Sequence, residues 1–255
     1  MRVVSFVPSW TETLLHCGVE VVGRTRFCQY PQNQTFEIPI LGGTKDLDLE
    51  QLKRLQPDLV LFDREENTHE MALRGQSGGK WKLHSTHVQS VEDMAPELLQ
   101  LASILKNEKL KLLAKEWEQI CSAPWYPNRS LEEIPGIEHW IQKPNQEPEQ
   151  FLYLIWRSPW MTVSRDTFVG SIFQNLGFGN RMPKFEEKYP RLDLGNYDPE
   201  KTLLLFSSEP FPFRTKAHEL RALGFPSAII CGESYSWFGL RSLRFLQSLQ
   251  SQPKS

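Results

Sequence analysis

The segment RFCQYP, residues 26–31, brings together a cation, two aromatic rings, a thiol and a proline. Cys28 could act as a nucleophile if a histidine or a cation lowered the pKa of its thiol. Arg24 and Arg26 are close in sequence, but no histidine partner can be identified from the chain alone. Alternatively, the segment lines a ligand site, where the rings contact ligand and Cys28 is a small buried side chain. We favour this second interpretation, because a single cysteine is weak support for catalysis.

Acidic residues and histidines offer a second kind of chemistry. Glu65 and Glu66 follow an apolar run and could act as a general acid and base, although an exposed acidic loop is the commoner case. The six histidines lack metal-binding spacings such as H-x-x-x-H. His84 and His87 lie three apart on an expected strand, so they should point to opposite faces. We therefore predict no metal site and no required cofactor.

Composition excludes several classes of protein. The 255 residues carry a formal net charge of −2 and no basic run, so nucleic acid is not an expected partner. No stretch approaches the ~20 apolar residues of a membrane helix, so we expect no membrane insertion. The four cysteines are widely spaced, which favours reduced thiols. If Met1 is the native start, the protein is expected in the cytoplasm; if a signal peptide was removed, it is periplasmic or extracellular.

The first 90 residues alternate between strand and helix patterns, which predicts a parallel α/β lobe. Residues 2–6 and 58–63 are apolar enough to be buried strands, and residues 82–88 fit a further one. Asp48 is suited to cap a helix that ends before Pro57.

The remaining chain predicts two more regions. Residues 91–123 show consecutive helical patterns, and prolines in residues 124–148 indicate a linker or irregular helix. A second α/β lobe begins near residue 151, and within it residues 198–210 suggest a short helix followed by a strand. The fold class is therefore α/β: two lobes with mainly parallel sheets, joined by a single long helix, with a ligand cleft between them. The predicted domains are an N-terminal lobe (1–90), connecting helices and linker (91–148) and a C-terminal lobe (149–255).

Ligands of α/β sheets bind outside the carboxyl ends of the strands. The chain places many polar and aromatic residues there, and large rings supply contact area for a flat or bulky ligand. Any single tryptophan at such a position is, however, more often part of the edge of the core. The candidate ligand-binding residues from this rule are Trp10, Arg24, Phe27, Tyr30, Thr44, Glu66, Trp156, Trp160, Trp237 and Phe238.

Four segments together resemble one family. VVSFVPSWTETLLHCG, RFCQYP, GGTKDLDLEQLKRLQPDLVLFDREEN and WFGLRSL are similar to the helical-backbone metal-receptor family, the solute-binding proteins of ABC importers for vitamin B12, heme and ferric siderophores. The likeness is greatest to the vitamin B12-binding branch, and it extends over nearly the whole chain. It implies two α/β lobes joined by one long helix, and an ABC permease as partner.

The resemblance also implies roles for individual residues. Tyr30 matches an aromatic residue that stacks on the corrin, Trp160 and Tyr189 fall near aromatic residues of the second lobe, and Trp237-Phe238 matches an aromatic pair. Glu50 matches the acidic residue that docks on the transporter. Two positions depart from the family pattern, since Thr44 and Asp63 stand where B12 binders carry Trp. In the B12 binders a second glutamate, in the second lobe, also docks on the transporter, and its position falls near Gly195 in this chain.

Three hypotheses follow. The first is a non-enzymatic, monomeric solute-binding protein that holds a corrinoid (cobalamin-like) or related metal chelate between aromatic walls for ABC import. The second is a cytoplasmic carrier or sensor of such a ligand without a transporter. The third is a Cys28-dependent enzyme that uses Glu65 or Glu66.

Overall fold

The computed structural model of the protein describes residues 1–122 and 129–251. The chain forms two compact units. Unit 1 comprises Met1–Cys121 and Trp237–Arg244, and unit 2 comprises Ser122–Ser236 and Phe245–Ser255. Pro124 and Pro127 of the predicted linker lie outside the described residues.

Unit 1 is built on a wholly parallel sheet of order β2-β1-β3-β4. Its strands are short, and the two central ones are almost completely buried, because central parallel strands are covered on both faces. They are β1 (Arg2–Ser5), β2 (Glu20–Arg24), β3 (Leu59–Asp63) and β4 (Lys82–Thr86). The helices are α1 (Pro8–His16), α2 (Gln32–Thr35), α3 (Leu49–Leu55), α4 (His69–Gln76), α5 (Met94–Leu105) and α6 (Glu108–Ser122).

Local sequence explains where several of these elements begin and end. The carboxylate of Asp48 accepts a hydrogen bond from the amide of Gln51 at 2.9 Å, so the predicted cap of α3 is confirmed. Phe6 and Phe62 stack at 5.0 Å in the core of the sheet. Trp117 on α6 is fully buried.

Unit 2 has a mixed sheet of order β5-β10-β9-β6-β7-β8, in which β6, β9 and β10 are parallel and the flanking strands antiparallel. Rings of Phe151, Tyr153, Phe173 and Tyr235 pack together within the unit. The strands are β5 (Ile137–Gln142), β6 (Gln150–Trp156), β7 (Trp160–Thr162), β8 (Arg191–Leu192), β9 (Thr202–Ser207) and β10 (Ser227–Ile230). The helices are α7 (Phe168–Asn175), α8 (Ala217–Arg221), α9 (Gly232–Ser236) and α10 (Leu240–Gln250), the last of which begins in unit 1.

Two sequence predictions about local structure are wrong. Residues 137–142 form strand β5 rather than a linker or irregular helix, because they pair antiparallel with β10 at the edge of the sheet. Residues 198–201 form a turn and not a helix before β9. In both places a tertiary contact or a turn overrides the local pattern.

Every helix in the described parts of the chain is too short or too polar to cross a bilayer. The finding concerns residues 1–122 and 129–251 only.

Candidate functional site

Cys28 is completely buried in unit 1. The hydroxyls of Thr11 and Thr25 each lie 3.1 Å from its Sγ atom. Burial raises the pKa of the thiol, although these two hydroxyls act in the opposite direction. A thiol that is protonated at neutral pH and closed to solvent is a poor nucleophile. The structure therefore gives no support to the Cys28-dependent enzyme.

The rest of the RFCQYP region divides into structural and exposed residues. The guanidinium of Arg24 is buried and donates to the backbone carbonyls of Thr35 and Thr25, at 2.9 and 3.0 Å, so it holds the loop together. Phe27 is about half exposed, beside the guanidinium of Arg26. Of these predicted ligand-binding residues, Phe27 is accessible and Arg24 is occupied with the backbone.

Tyr30 belongs to a group that we call the Arg241 cluster: Glu12, Tyr30, Trp237 and Arg241, all in unit 1. The guanidinium carbon of Arg241 lies 3.8 Å from the Tyr30 ring centroid and 4.9 Å from that of Trp237. The two rings meet edge to face at 5.7 Å. Glu12 accepts from Arg241 Nε at 2.7 Å and Nη2 at 3.0 Å, a bidentate pair that fixes the plane of the guanidinium. The sequence prediction did not include Glu12 or Arg241.

Trp10 and Phe238, both predicted ligand contacts, are buried beneath the surface of unit 1. Trp10 is fully buried, and its indole Nε1 donates to Thr86 Oγ1 at 2.8 Å. Its ring meets that of Phe238 at 5.4 Å, and Phe238 is 4% exposed. In this structure both rings support the surface of unit 1 from within.

Polar residues gather where β3 and β4 end. Asp63 is fully buried and accepts from Thr86 Oγ1 at 2.7 Å and from the amides of Glu65 and Val88 at 2.9 and 3.3 Å. Burial raises the pKa of the Asp63 carboxyl, while the hydrogen bond from Thr86 lowers it. Asp63 thus organises the backbone of the strand ends.

Asn67 connects this edge to Thr44. Its amide donates to the carbonyls of Phe6 and Thr44 at 3.1 and 2.9 Å. Thr44 and Glu66, both predicted ligand-binding residues, are partly exposed here. The structure brings them to the same carboxyl edge of the parallel sheet, which is where such folds bind ligands.

His87 and Glu65 form a pair at the same edge. The Nε2 atom of His87 lies 3.2 Å from Glu65 Oε1, and Gln89 Nε2 lies 3.2 Å from the same oxygen. His84 faces a different carboxylate, with its Nε2 atom 4.0 Å from Glu97 Oε2. Among residues 1–122 and 129–251, no group of three or more His, Cys, Asp or Glu residues is placed to hold a metal ion.

Unit 2 carries its own aromatic surface, which we define as Trp156, Arg157, Trp160 and Phe211. Trp156 is 42% exposed and meets Phe211 edge to face at 5.4 Å. The guanidinium of Arg157 lies 5.5 Å from the Trp160 ring centroid and pairs with Glu219 at 2.6 Å. Trp160 also stacks on the buried Phe213 at 6.2 Å, which supports it from the core.

No family model and no curated protein matches the sequence. Solved structures do match. The periplasmic vitamin B12-binding protein BtuF of Vibrio cholerae is 17% identical, with a TM-score of 0.68 over 98% of each chain. The periplasmic heme-binding protein HutB of Vibrio cholerae is 19% identical, with a TM-score of 0.70 over 98% of each chain. The periplasmic heme-binding protein BhuT, in complex with two hemes, is 19% identical, with a TM-score of 0.72 over 97% of this chain and 96% of that one.

This chain has the fold of these binding proteins. The similarity extends over nearly the full length of each, so the predicted α/β fold class is confirmed. Within this fold, Tyr189 and Glu50 remain to be placed. Tyr189 is 42% exposed in the segment before β8. Glu50 is exposed in the first turn of α3, where it pairs with Lys53 at 2.8 Å.

Proposed function

We propose that this protein is a solute-binding protein for a corrinoid or a closely related metal chelate, which it delivers to an ABC permease. The observation that carries the proposal is that each unit presents a supported aromatic surface. In unit 1 this is the Arg241 cluster, and in unit 2 it is the surface around Trp156 and Trp160. Rings held from behind in this way bind flat or bulky ligands at low cost in conformational entropy.

The charges beside these rings favour a corrinoid over a heme. Arg26, Arg157 and Arg241 each lie over an aromatic ring, and each is paired with a carboxylate, at 2.7, 2.6 and 2.7 Å. In the largely buried pair of Arg241 and Glu12, a heme carboxylate would first have to displace Glu12 from the guanidinium, which is costly. The amide groups around a corrin can instead hydrogen-bond to a paired cation without disturbing it.

The predicted ligand contacts are divided between the two units. In unit 1 they are Trp10, Arg24, Phe27, Tyr30, Thr44, Glu66, Trp237 and Phe238, of which the buried members act by holding the exposed ones. In unit 2 they are Trp156, Trp160 and Tyr189.

The test is a titration with cyanocobalamin, followed by calorimetry and by the visible spectrum of the ligand, and then the same titration with heme. Tyr30→Ala and Trp160→Ala should each weaken cyanocobalamin binding by about tenfold, since stacking on one ring contributes about 0.5–1.5 kcal/mol and the apolar area of the ring that the ligand buries adds to this. Trp140→Ala on β5, at the other end of the sheet order of unit 2 from β7, is the control and should bind normally. Wild-type protein that binds neither ligand would refute the proposal.

Delivery of the ligand to the permease is a separate part of the proposed function. We propose that the protein is monomeric, works in the periplasm, and uses the exposed carboxylate of Glu50 to dock on a basic residue of the permease. Glu50→Lys should then leave cyanocobalamin affinity unchanged and abolish ligand uptake in vesicles containing the permease. Normal uptake by this variant would remove Glu50 from the docking surface.

A further inference from the structure

We propose that His87, oriented by Glu65, coordinates the metal of the bound chelate through Nδ1. The inference rests on the proposed function and deepens it, because it predicts which chelates bind. Those that His87 can coordinate, and that should therefore bind more tightly, are chelates with an exchangeable coordination position, such as aquacobalamin, in which water occupies one face of the cobalt.

The geometry of the pair determines which nitrogen is available. A carboxylate only accepts hydrogen bonds, so the 3.2 Å contact with Glu65 Oε1 places the proton of neutral His87 on Nε2. Nδ1 then carries a lone pair. Within residues 1–122 and 129–251, no side chain or backbone group forms a hydrogen bond with Nδ1, and the His87 side chain is 39% exposed. A histidine held by a carboxylate through one nitrogen and open at the other is the usual arrangement of a metal ligand.

The position of the pair fits the same purpose. His87 directly follows β4, and the preceding Thr86 accepts the hydrogen bond from Trp10. Lys45 Nζ lies 3.5 Å from the carbonyl of Glu65, which places the segment around Thr44 beside the pair. His87 therefore lies at the carboxyl edge of the parallel sheet, near the predicted ligand contacts Trp10 and Thr44.

The absence of a metal cage in the described residues is consistent with this role. No cluster of three or more ligating residues is found there, and His87 supplies one imidazole donor at this edge. One donor suits a metal whose other positions are already filled by a macrocycle. His84 is not an alternative, because its side chain is 12% exposed and faces Glu97.

The coordination step is a ligand substitution. The lone pair of Nδ1 forms a bond to cobalt, and the bond from cobalt to water breaks, so that water leaves with its own electron pair. Neither the metal nor the protein is oxidised or reduced. The Nε2 proton stays on the imidazole, hydrogen-bonded to Glu65, which makes Nδ1 a stronger donor.

The experiment compares aquacobalamin with cyanocobalamin, whose cyanide exchanges poorly. Both are titrated into wild-type protein, His87→Ala, His87→Gln and the control His139→Ala, a change of an exposed histidine on β5. We expect wild type and His139→Ala to shift the visible bands of aquacobalamin, as replacement of water by imidazole does, and both His87 variants to lose this shift. Cyanocobalamin should bind all four proteins without a spectral shift, which also verifies that the variants are folded.

Glu65→Gln tests the positioning role of the carboxylate. It should weaken aquacobalamin binding by about tenfold, the low end of the effect of outer-shell changes on metal affinity, and leave cyanocobalamin binding unchanged. A purely structural role of Glu65 would alter the affinity for both ligands equally.

The outcomes separate the two proposals. If wild type binds both cobalamins and the spectral shift persists in the His87 variants or never occurs, the coordination proposal is overturned and the binding function stands. If wild type binds neither cobalamin, both proposals fail.

Discussion

Removal of the Arg241 guanidinium should destabilise unit 1 far more than removal of a similar ion pair on the same helix. The side chains of Arg241 and Glu12 are only 23% and 12% exposed. Arg241→Ala would leave the Glu12 carboxylate buried without its partner, which costs about 3–5 kcal/mol. Their residual exposure places the ion-pair loss near the lower limit, and the lost ring contacts add about 0.5–1 kcal/mol each. We expect a loss of about 4 kcal/mol.

The matched control is Arg244→Ala, also on α10. Arg244 pairs with Glu116 at 2.6 Å, but these side chains are 46% and 31% exposed. A solvent-exposed pair contributes about 0–1 kcal/mol. The assay is urea unfolding followed by circular dichroism and tryptophan fluorescence, with both variants compared with wild type.

A double-mutant cycle isolates the pair itself. Glu12→Gln combined with Arg241→Ala should give a coupling energy of about 2 kcal/mol, because neighbouring groups in one network are not additive. Equal losses for Arg241→Ala and Arg244→Ala, or strict additivity in the cycle, would refute the argument that burial makes this ion pair strong.

Three further predictions use other parts of the molecule. Gly239→Ala should cost about 1–3 kcal/mol more than Gly224→Ala. Both glycines have positive φ, but an added Cβ at Gly239 would lie 2.3 Å from Thr13 Oγ1, whereas at Gly224 it meets nothing within 4 Å. Thermal unfolding of the two variants measures the difference. In the native protein, burial should protect Cys28 from a thiol reagent at pH 8, and Cys28 should react once urea has unfolded the protein. Rapid labelling of Cys28 in the native protein would contradict the burial argument. Burial lowers the pKa of His84, so the folded state binds a proton at this imidazole less readily than the unfolded state does. Wild type should therefore lose stability relative to His84→Gln as pH falls below 6.5. Urea midpoints of the two proteins measured at pH 7.5, 6.5 and 5.5 test this, and a difference between them that is the same at all three pH values would exclude it.

Much of the secondary structure could be predicted because local signals agree with the tertiary structure. The cap at Asp48 and the fully buried run of β3 each correspond to the element predicted. Strand β5 was missed because an edge strand with the sequence IEHWIQ is neither continuously apolar nor clearly alternating, and its pairing with β10 is a property of the folded sheet. Pattern analysis has no access to such pairing.

The candidate site, like the secondary structure, is predictable from the sequence only in part. Tyr30 and Trp237 were each selected, by position and by resemblance, and the structure brings them into contact. Glu12 and Arg241, which fix that contact, are 229 positions apart and carry no local signal. The sequence pattern predicts His84 and His87 on one strand, but His87 lies just beyond the end of β4 and faces Glu65.

The return of Trp237–Arg244 to unit 1 has a consequence for how the chain matures during synthesis. The partners of Glu12 and Thr13, which are Arg241 and Leu240, leave the ribosomal exit tunnel more than two hundred residues after them. Until then the Glu12 carboxylate has no guanidinium to pair with, and the Trp10 ring lacks its contact with Phe238. Domains usually fold in order from the N-terminus as they emerge. Here unit 1 is completed only by α10, so a chaperone that binds apolar surface should remain on the nascent chain until α10 has left the exit tunnel.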